Sequence, residues 1–234
     1  MLQNKKIVCL IPARGGSKGI KFKNLRKIKK KSLLQASIDF AKNLNFIDTI
    51  VVSSENKKII NIAKNNNCEV HLRSKYLSRD FTSDTEIINS VLANKNYKNY
   101  DYILYLQPTS PIRYKKHFID SLKQLIRRKA DSIWSVTKIS NKYHPLKILK
   151  KYNFVYFKTF VKDGQKVVAR QQLSDIFIRN GIFYFFSIRK FHRNKSIYLP
   201  KSLYYEINYE YVNIDTKEDL LECKKLSKKL NLDL

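Results

Sequence analysis

The chain is poor in cysteine, glycine, proline and acidic residues. Its 234 residues include three Cys, five Gly, five Pro and one Trp, and only 19 Asp and Glu stand against 47 Lys and Arg. Cys9, Cys68 and Cys223 are odd in number and have no metal-ligand spacing, which excludes a disulfide scaffold and fits a reducing, cytoplasmic setting. No run approaches the roughly 18 uninterrupted apolar residues of a membrane span, so no membrane insertion is expected. Met1 to Lys6 hold no signal-peptide apolar core. No internal repeat or low-complexity linker interrupts the chain. With 43% hydrophobic and 12% aromatic residues, the composition argues for a packed core and against disorder.

The scarcity of acid leaves a net charge of +28. One reading is attraction to a polyanion, nucleic acid above all. The other is compositional drift: 36 Lys against 11 Arg, with abundant Asn and Ile. Lys is a hydrated point charge suited to solvated faces, whereas planar Arg is the residue favoured for bidentate phosphate and base contacts. The composition favours drift. A basic nucleic-acid-binding domain, with steeply salt-dependent binding, stays open as the alternative from a different class.

Apolar periodicity gives the architecture. Lys6–Pro12 reads as a strand buried on both faces, followed by a basic, Gly-rich loop over Ala13–Asn24. Ser32-Leu33-Leu34-Gln35 carries a capping signature and opens a helix to Leu44. Strands are expected at 49–53, 69–72, 100–106 and 131–137, and helices at 55–66, 84–93, opened by a Ser83/Glu86 capping box, and 115–128. Alternation of this kind predicts an α/β fold with a mostly parallel sheet and ligand loops at the strands' carboxyl ends. The pattern then changes. Tyr152–Val161 alternates, Asp163-Gly164 signals a hairpin turn, and Gln165–Ala169 is expected to return antiparallel. An aromatic strand over 181–187 and an amphipathic helix over 216–230 close the chain. The parse is one domain over 1–234 with an excursion near 141–178.

The first candidate site is the run Ile11-Pro12-Ala13-Arg14-Gly15-Gly16-Ser17-Lys18-Gly19, continuing to Lys23-Asn24. Its glycines let backbone N–H groups approach a polyanion, Ser17 adds a hydroxyl, and Arg14, Lys18 and Lys23 supply charge. That describes a phosphate cradle, and it is neither a Walker A loop nor GxGxxG. Other conspicuous residues read as structure. The four His form no ligand set, Cys9 and Trp134 sit in strands as core, and the Phe183–Phe186 stripe is core rather than a base-stacking platform. Lys27 and Lys29–Lys31 read as a solvated turn.

The loop 13–24 resembles the nucleotide loop of the acylneuraminate cytidylyltransferases, the CMP-sialic acid synthetases. Four further segments match that family in order. They are Leu106-Gln107-Pro108-Thr109-Ser110-Pro111-Ile112-Arg113, His144-Pro145-Leu146-Lys147, Arg170-Gln171-Gln172-Leu173 with Arg179-Asn180-Gly181, and Ile214-Asp215-Thr216. The resemblance implies a three-layer α/β/α Rossmann-like nucleotide-diphospho-sugar transferase fold. It implies transfer of CMP from CTP to the anomeric hydroxyl of a nonulosonic acid (N-acetylneuraminate, legionaminate, pseudaminate or a derivative), releasing pyrophosphate. A nucleotidyltransferase for another acidic sugar such as Kdo is the nearest alternative within the class.

The resemblance also implies roles. Arg14, Lys23 and Asp215 are the expected catalytic residues. Arg14, Gly15, Gly16, Ser17, Lys18, Lys23 and Asn24 would grip the triphosphate, and Arg73, Asp84 and Thr85 would serve the cytidine. Gln107, Lys147, Arg170, Arg179 and Asn180 would meet the sugar, with Lys147 and Arg170 reaching across the interface of a homodimer built on the 141–178 excursion. Mg²⁺ is the implied cofactor, held by Asp215 and Asn213, where relatives often place an acid at the latter position. A second departure is Ser74, where relatives often have Pro.

Overall fold

The computed structural model describes residues 5–232; residues 1–4, on which part of the N-terminal reading rests, lie outside them. In chain order the elements are β1 (Ile7–Pro12), β2 (Lys27–Ile28), β3 (Lys31–Ser32), α1 (Leu33–Lys42), β4 (Thr49–Ser54), α2 (Lys57–Asn65), β5 (Glu69–Leu72), α3 (Asp84–Leu92), β6 (Tyr102–Tyr105), α4 (Lys115–Arg127) and β7 (Ser132–Lys138). There follow β8 (Leu149–Lys151), β9 (Phe157–Thr159), β10 (Phe177–Ser187), α5 (Ile188–Asn194), β11 (Ser202–Glu206) and α6 (Lys217–Lys229). Among the described residues no helix is long and apolar enough to cross a membrane.

Seven strands form one sheet in the order β11-β7-β10-β6-β1-β4-β5. β1 lies parallel between β4 and β6, β4 runs parallel to β5, and β10 runs antiparallel to β6. The near-continuous apolar run of β1 has this cause: Ile7, Val8, Cys9, Leu10 and Ile11 are each fully buried. Burial also pushes the Cys9 thiol up, so it stays protonated as packing. The aromatic stripe of β10 is core as expected. Phe183 packs on Phe118 at 4.4 Å between ring centroids, and Trp134 on Tyr184 at 4.7 Å. Each such burial contributes about 1.5–3 kcal/mol.

Local signals set several boundaries. Ser83 and Glu86 form the expected reciprocal capping box of α3, and Thr216 with Asp219 forms a second one on α6. At α1 the Ser32 hydroxyl accepts from Gln35 N, but the Gln35 side chain does not complete the box. Its carboxamide instead pairs reciprocally with that of Asn66 at the end of α2, at 3.0 Å in both directions. The Lys27–Lys31 run is a minute β2–β3 antiparallel turn, with Lys29 in left-handed backbone (φ 50°) and Lys29 and Lys30 exposed.

The chain parts into two compact units. The first runs to Ser135 and resumes over Asn180–Tyr205 and from Tyr209; the second comprises Val136–Arg179 with Glu206–Asn208. The stretch 141–178 falls inside the second unit. There the hairpin differs from expectation: β8 pairs with β9 antiparallel, Leu149 opposite Thr159, so the chain reverses at 152–156. Asn153 makes that reversal, its side-chain carbonyl accepting from the N–H groups of Val155 and Tyr156. Asp163-Gly164 belongs instead to a 3-10 turn over Lys162–Lys166, and no strand forms over Gln165–Ala169. Gly164 is needed there for close approach, since a Cβ on it would lie 2.5 Å from the Leu146 carbonyl oxygen.

Candidate active site

Parallel strands deliver their loops to one end of the sheet. Past β1, Ala13 N donates to the Ser53 carbonyl at the end of β4, which starts the Arg14–Asn24 loop beside β4 and β5. Past β6, the loop Gln107–Arg113 is pinned by its own last residue. Arg113 is buried, and its guanidinium donates to the carbonyls of Gln107 and Ile182 and to the Ser37 hydroxyl. Burial pulls the Arg113 pKa down to about 10, still well above neutrality, so the pin stays charged. The motif containing Arg113 was legible, yet nothing local signalled this bracing role.

Between these loops lies a pocket of about 510 Å³, a volume within the usual range for small-molecule sites. Of the expected site residues, Arg14, Ser17, Lys18, Lys23, Asn24, Arg73, Asp84, Gln107 and Asp215 line it. Leu77, Arg79, Phe81 and Tyr105 line it too, and sequence reasoning named none of them individually. Arg14, Lys18 and Lys23 each have a carboxylate partner. Arg14 Nη1 lies 2.6 Å from Asp80 Oδ1, and Lys18 Nζ 2.9 Å from Asp80 Oδ2. Hydrogen bonds from Lys18 and then Arg14 hold the Asp80 carboxyl below the usual carboxylate range. Lys23 Nζ donates to Asp215 Oδ1 and to the Ile214 carbonyl, both at 2.8 Å. The Tyr105 hydroxyl donates to Asp84 Oδ1 at 2.5 Å, and burial followed by the Asp84 charge raises the phenol's pKa far above neutrality.

Some expected residues serve the frame. Gly15 N donates to Glu55 Oε1 at 2.7 Å, so that N–H is already committed, and Gly16 faces open space. Asn24 is buried and donates its amide to the Arg14 carbonyl at 2.9 Å, bracing the loop. Asn180 is also buried; its side-chain carbonyl accepts from Ser135 Oγ and Ile182 N. Thr85 sits in the first turn of α3, outside the pocket lining. Lys147, Arg170 and Arg179 belong to the second unit, where all three are exposed.

Burial alternates along the segment before α6. Val212 and Ile214 point inward, while Asn213 and Asp215 are exposed. Asp215 Oδ2 accepts no hydrogen bond among the described residues, and the Asn213 carbonyl oxygen is met only at 3.4 Å by the Ser110 hydroxyl. A carboxylate and an amide oxygen two residues apart on one exposed edge fit a magnesium ion that keeps water and phosphate as its other ligands. Among the described residues no three His, Cys, Asp or Glu side chains cluster as a metal site.

A cytidylyltransferase family model matches residues 8–234. The chain belongs to that family. This cytidylyltransferase is 29% identical over 231 residues to the pseudaminic acid cytidylyltransferase of Campylobacter jejuni subsp. jejuni, with 97% of each chain covered. It is 30% identical over 200 residues to the N-acylneuraminate cytidylyltransferase of Escherichia coli O18:K1:H7, covering 83% of this chain and 47% of that protein. In fold it is similar to a CMP:2-keto-3-deoxy-manno-octonic acid synthetase complexed with CTP, with a TM-score of 0.72 at 15% identity over 97% of this chain and 100% of that one. A 4-diphosphocytidyl-2C-methyl-D-erythritol synthase from Anaerococcus prevotii follows at TM-score 0.66 and 14% identity. The cytidylyltransferase is therefore a nucleotidyltransferase with a Rossmann-like α/β fold, as the motifs implied.

Proposed function

We propose that this cytidylyltransferase transfers CMP from CTP to the anomeric hydroxyl of a nonulosonic acid. The observation that carries the reading is the convergence of Arg14, Lys18, Lys23 and Arg73 with Asp215 on one pocket at the carboxyl ends of the parallel strands. The nucleophile's oxygen bonds to the α-phosphorus, the bond from that phosphorus to the bridging oxygen breaks, and pyrophosphate leaves as the hydroxyl proton is lost. Arg14, Lys18 and Lys23 neutralise the triphosphate, Ser17 adds a hydroxyl, and Arg73 with Asp84 meets the cytidine side of the pocket. Gln107 stands at the end of β6 for the sugar or ribose. Asp215 and Asn213 would hold magnesium, which supplies charge neutralisation at the phosphates.

Pseudaminic and N-acylneuraminic acids are the first sugars to test, from the names of the two relatives. Pyrophosphate release is expected when the protein is incubated with CTP, Mg²⁺ and one member of a panel of N-acetylneuraminate, legionaminate, pseudaminate and Kdo. Release with Kdo alone would select the neighbouring substrate class, and silence across the panel from folded protein would overturn the reading. Competition among the four nucleotides tests the choice of CTP.

The second unit supports a homodimer. Phe154, Phe157, Tyr152 and Tyr156 of the hairpin are 96%, 68%, 64% and 66% exposed, and a two-stranded ribbon is marginal without a surface to cover it. A second copy of the chain is the proposed cover, which would also give Lys147 and Arg170 a neighbouring site to reach. Sedimentation at micromolar concentration is expected to show a dimer, and the double change Phe154→Asp, Phe157→Asp a monomer. A monomeric unaltered protein would remove this proposal.

A further inference from the structure

Arg73 enters the nucleotide pocket already held from behind. It is 6% exposed, its Nε donates to the Ser53 hydroxyl at 2.8 Å, and its Nη2 is buried with no hydrogen-bond partner among the described residues. An unmet guanidinium donor at the wall of a pocket is costly unless a ligand completes it. What orients that donor is a chain of side chains running away from the pocket. The Ser53 hydroxyl, fully buried at the end of β4, lies 2.8 Å from His71 Nδ1, and His71 Nε2 lies 2.9 Å from the Ser90 hydroxyl on α3.

One direction of the chain gives every proton in it an acceptor, the Ser53 proton included. Ser53 Oγ accepts the proton of Arg73 Nε, so the Ser53 proton is free to be donated, and its acceptor is His71 Nδ1. His71 is then the neutral Nε2–H tautomer, and Nε2 donates to Ser90. Protonation would place a second N–H donor against Ser53 Oγ, already approached by a guanidinium. Two cations would converge on one hydroxyl oxygen, and the Ser53 proton would lose its acceptor.

We propose that neutral His71 is a positioning residue for nucleotide binding: through Ser53 it orients Arg73, and its protonation weakens nucleotide binding in acid. The proposal rests on Arg73 meeting the cytidine. Burial, and then the charge of Arg73, hold the His71 pKa below its ordinary value of 6.5. The neutral form therefore prevails at and above that pH, and the hold on Arg73 is lost only as pH falls through the lowered value. Of the nearby acids, Glu55 keeps one buried carboxylate oxygen without a hydrogen-bond partner among the described residues, and with Asp84 it favours the charge of Arg73, while neither acts on His71. β4 presents Ser53 and α3 presents Ser90; Glu86, one turn before Ser90, is bound to Ser83 and Tyr76. On the strand of His71 itself, Glu69 accepts from the Tyr97 hydroxyl.

The test is calorimetric binding of CTP to the full chain between about pH 5 and pH 8, for the unaltered protein, His71→Gln, His71→Phe and Arg73→Lys. Gln can accept from Ser53 and donate to Ser90 without titrating. At the alkaline end His71→Gln is expected to bind within about twofold of the unaltered protein, and His71→Phe about fivefold more weakly, the worth of one ordinary hydrogen bond. Toward acid, the unaltered protein should lose about fivefold more affinity than His71→Gln. Titration of the nucleotide phosphates is common to both and cancels. Arg73→Lys should bind at least about tenfold more weakly at every pH, the loss of a charge-assisted contact; unchanged binding there would remove the role of Arg73 itself. If Arg73→Lys is weak while the unaltered protein and His71→Gln keep parallel pH profiles, the role of His71 is overturned.

Discussion

Arg14→Ala and Asp215→Ala are each expected to lower kcat at saturating CTP by about 10²-fold or more, the usual loss when a group that stabilises transition-state charge is removed. Both residues line the pocket, and they stand in different arrangements. Arg14 is held by Asp80 at the mouth of the loop, 2.6 Å from its carboxylate, so its guanidinium is already ordered before nucleotide arrives. In the proposed reaction negative charge grows on the leaving pyrophosphate as its bond lengthens, and Arg14 would stabilise it. Two functions are proposed for Asp215, and a pair of variants separates them. Asp215→Asn keeps an oxygen for Lys23 Nζ and removes the carboxylate charge. If tethering Lys23 is the main role, Asn restores much of the rate; if charge and metal coordination dominate, Asn is as slow as Ala. Steady-state kinetics at varied Mg²⁺ distinguishes these, and unchanged kcat in both Ala variants would remove the site assignment.

Gly19→Ala is the second large effect. A Cβ at Gly19 would lie 2.3 Å from the Asp215 carbonyl oxygen, a backbone atom that no rotamer change can move. The basic loop and the segment 213–215 would have to separate, which stretches both hydrogen bonds from Lys23 to Ile214 and Asp215. Overpacking of this kind costs about 1–3 kcal/mol, and a chain of this size loses roughly 2–4 °C of Tm per kcal/mol. The expected result is a Tm lower by several degrees together with a fall in kcat/KM of about 10²-fold, since small displacements of positioning groups are felt strongly in rate. Gly16→Ala is the control for stability. Open space surrounds that position, so stability should change by no more than about 0.5 kcal/mol, or about 1–2 °C of Tm. A Gly19→Ala protein with unchanged Tm and kcat/KM would show that the close approach is not required.

The parts legible in the sequence are those specified by neighbours along the chain. The box at Ser83 and Glu86 spans four residues, β1 is a single apolar run, and the basic loop is contiguous, so each could be read locally. The partners of the basic loop could not. Asp80 lies 66 residues from Arg14, Glu55 lies 40 from Gly15, and only folding brings them together. The hairpin was misplaced because two local turn signals competed. Asp163-Gly164 is the stronger by composition, but Gly164 serves a close approach to the Leu146 carbonyl, and Asn153 supplies the turn. Helix α5 and strand β11 escaped notice: no side chain caps α5, and β11 spans only five residues. His71, a lone histidine by spacing, gained meaning only from two serines that approach it from other elements.

The bond from Lys23 to Asp215 joins residues 192 positions apart. During synthesis the basic loop therefore emerges long before its counterpart exists. At an elongation rate of about 5–20 residues per second, about 10–40 s separate the two. Throughout that interval the nascent chain lacks the segment that meets Lys23, so the pocket is complete only after residue 215 has left the ribosome.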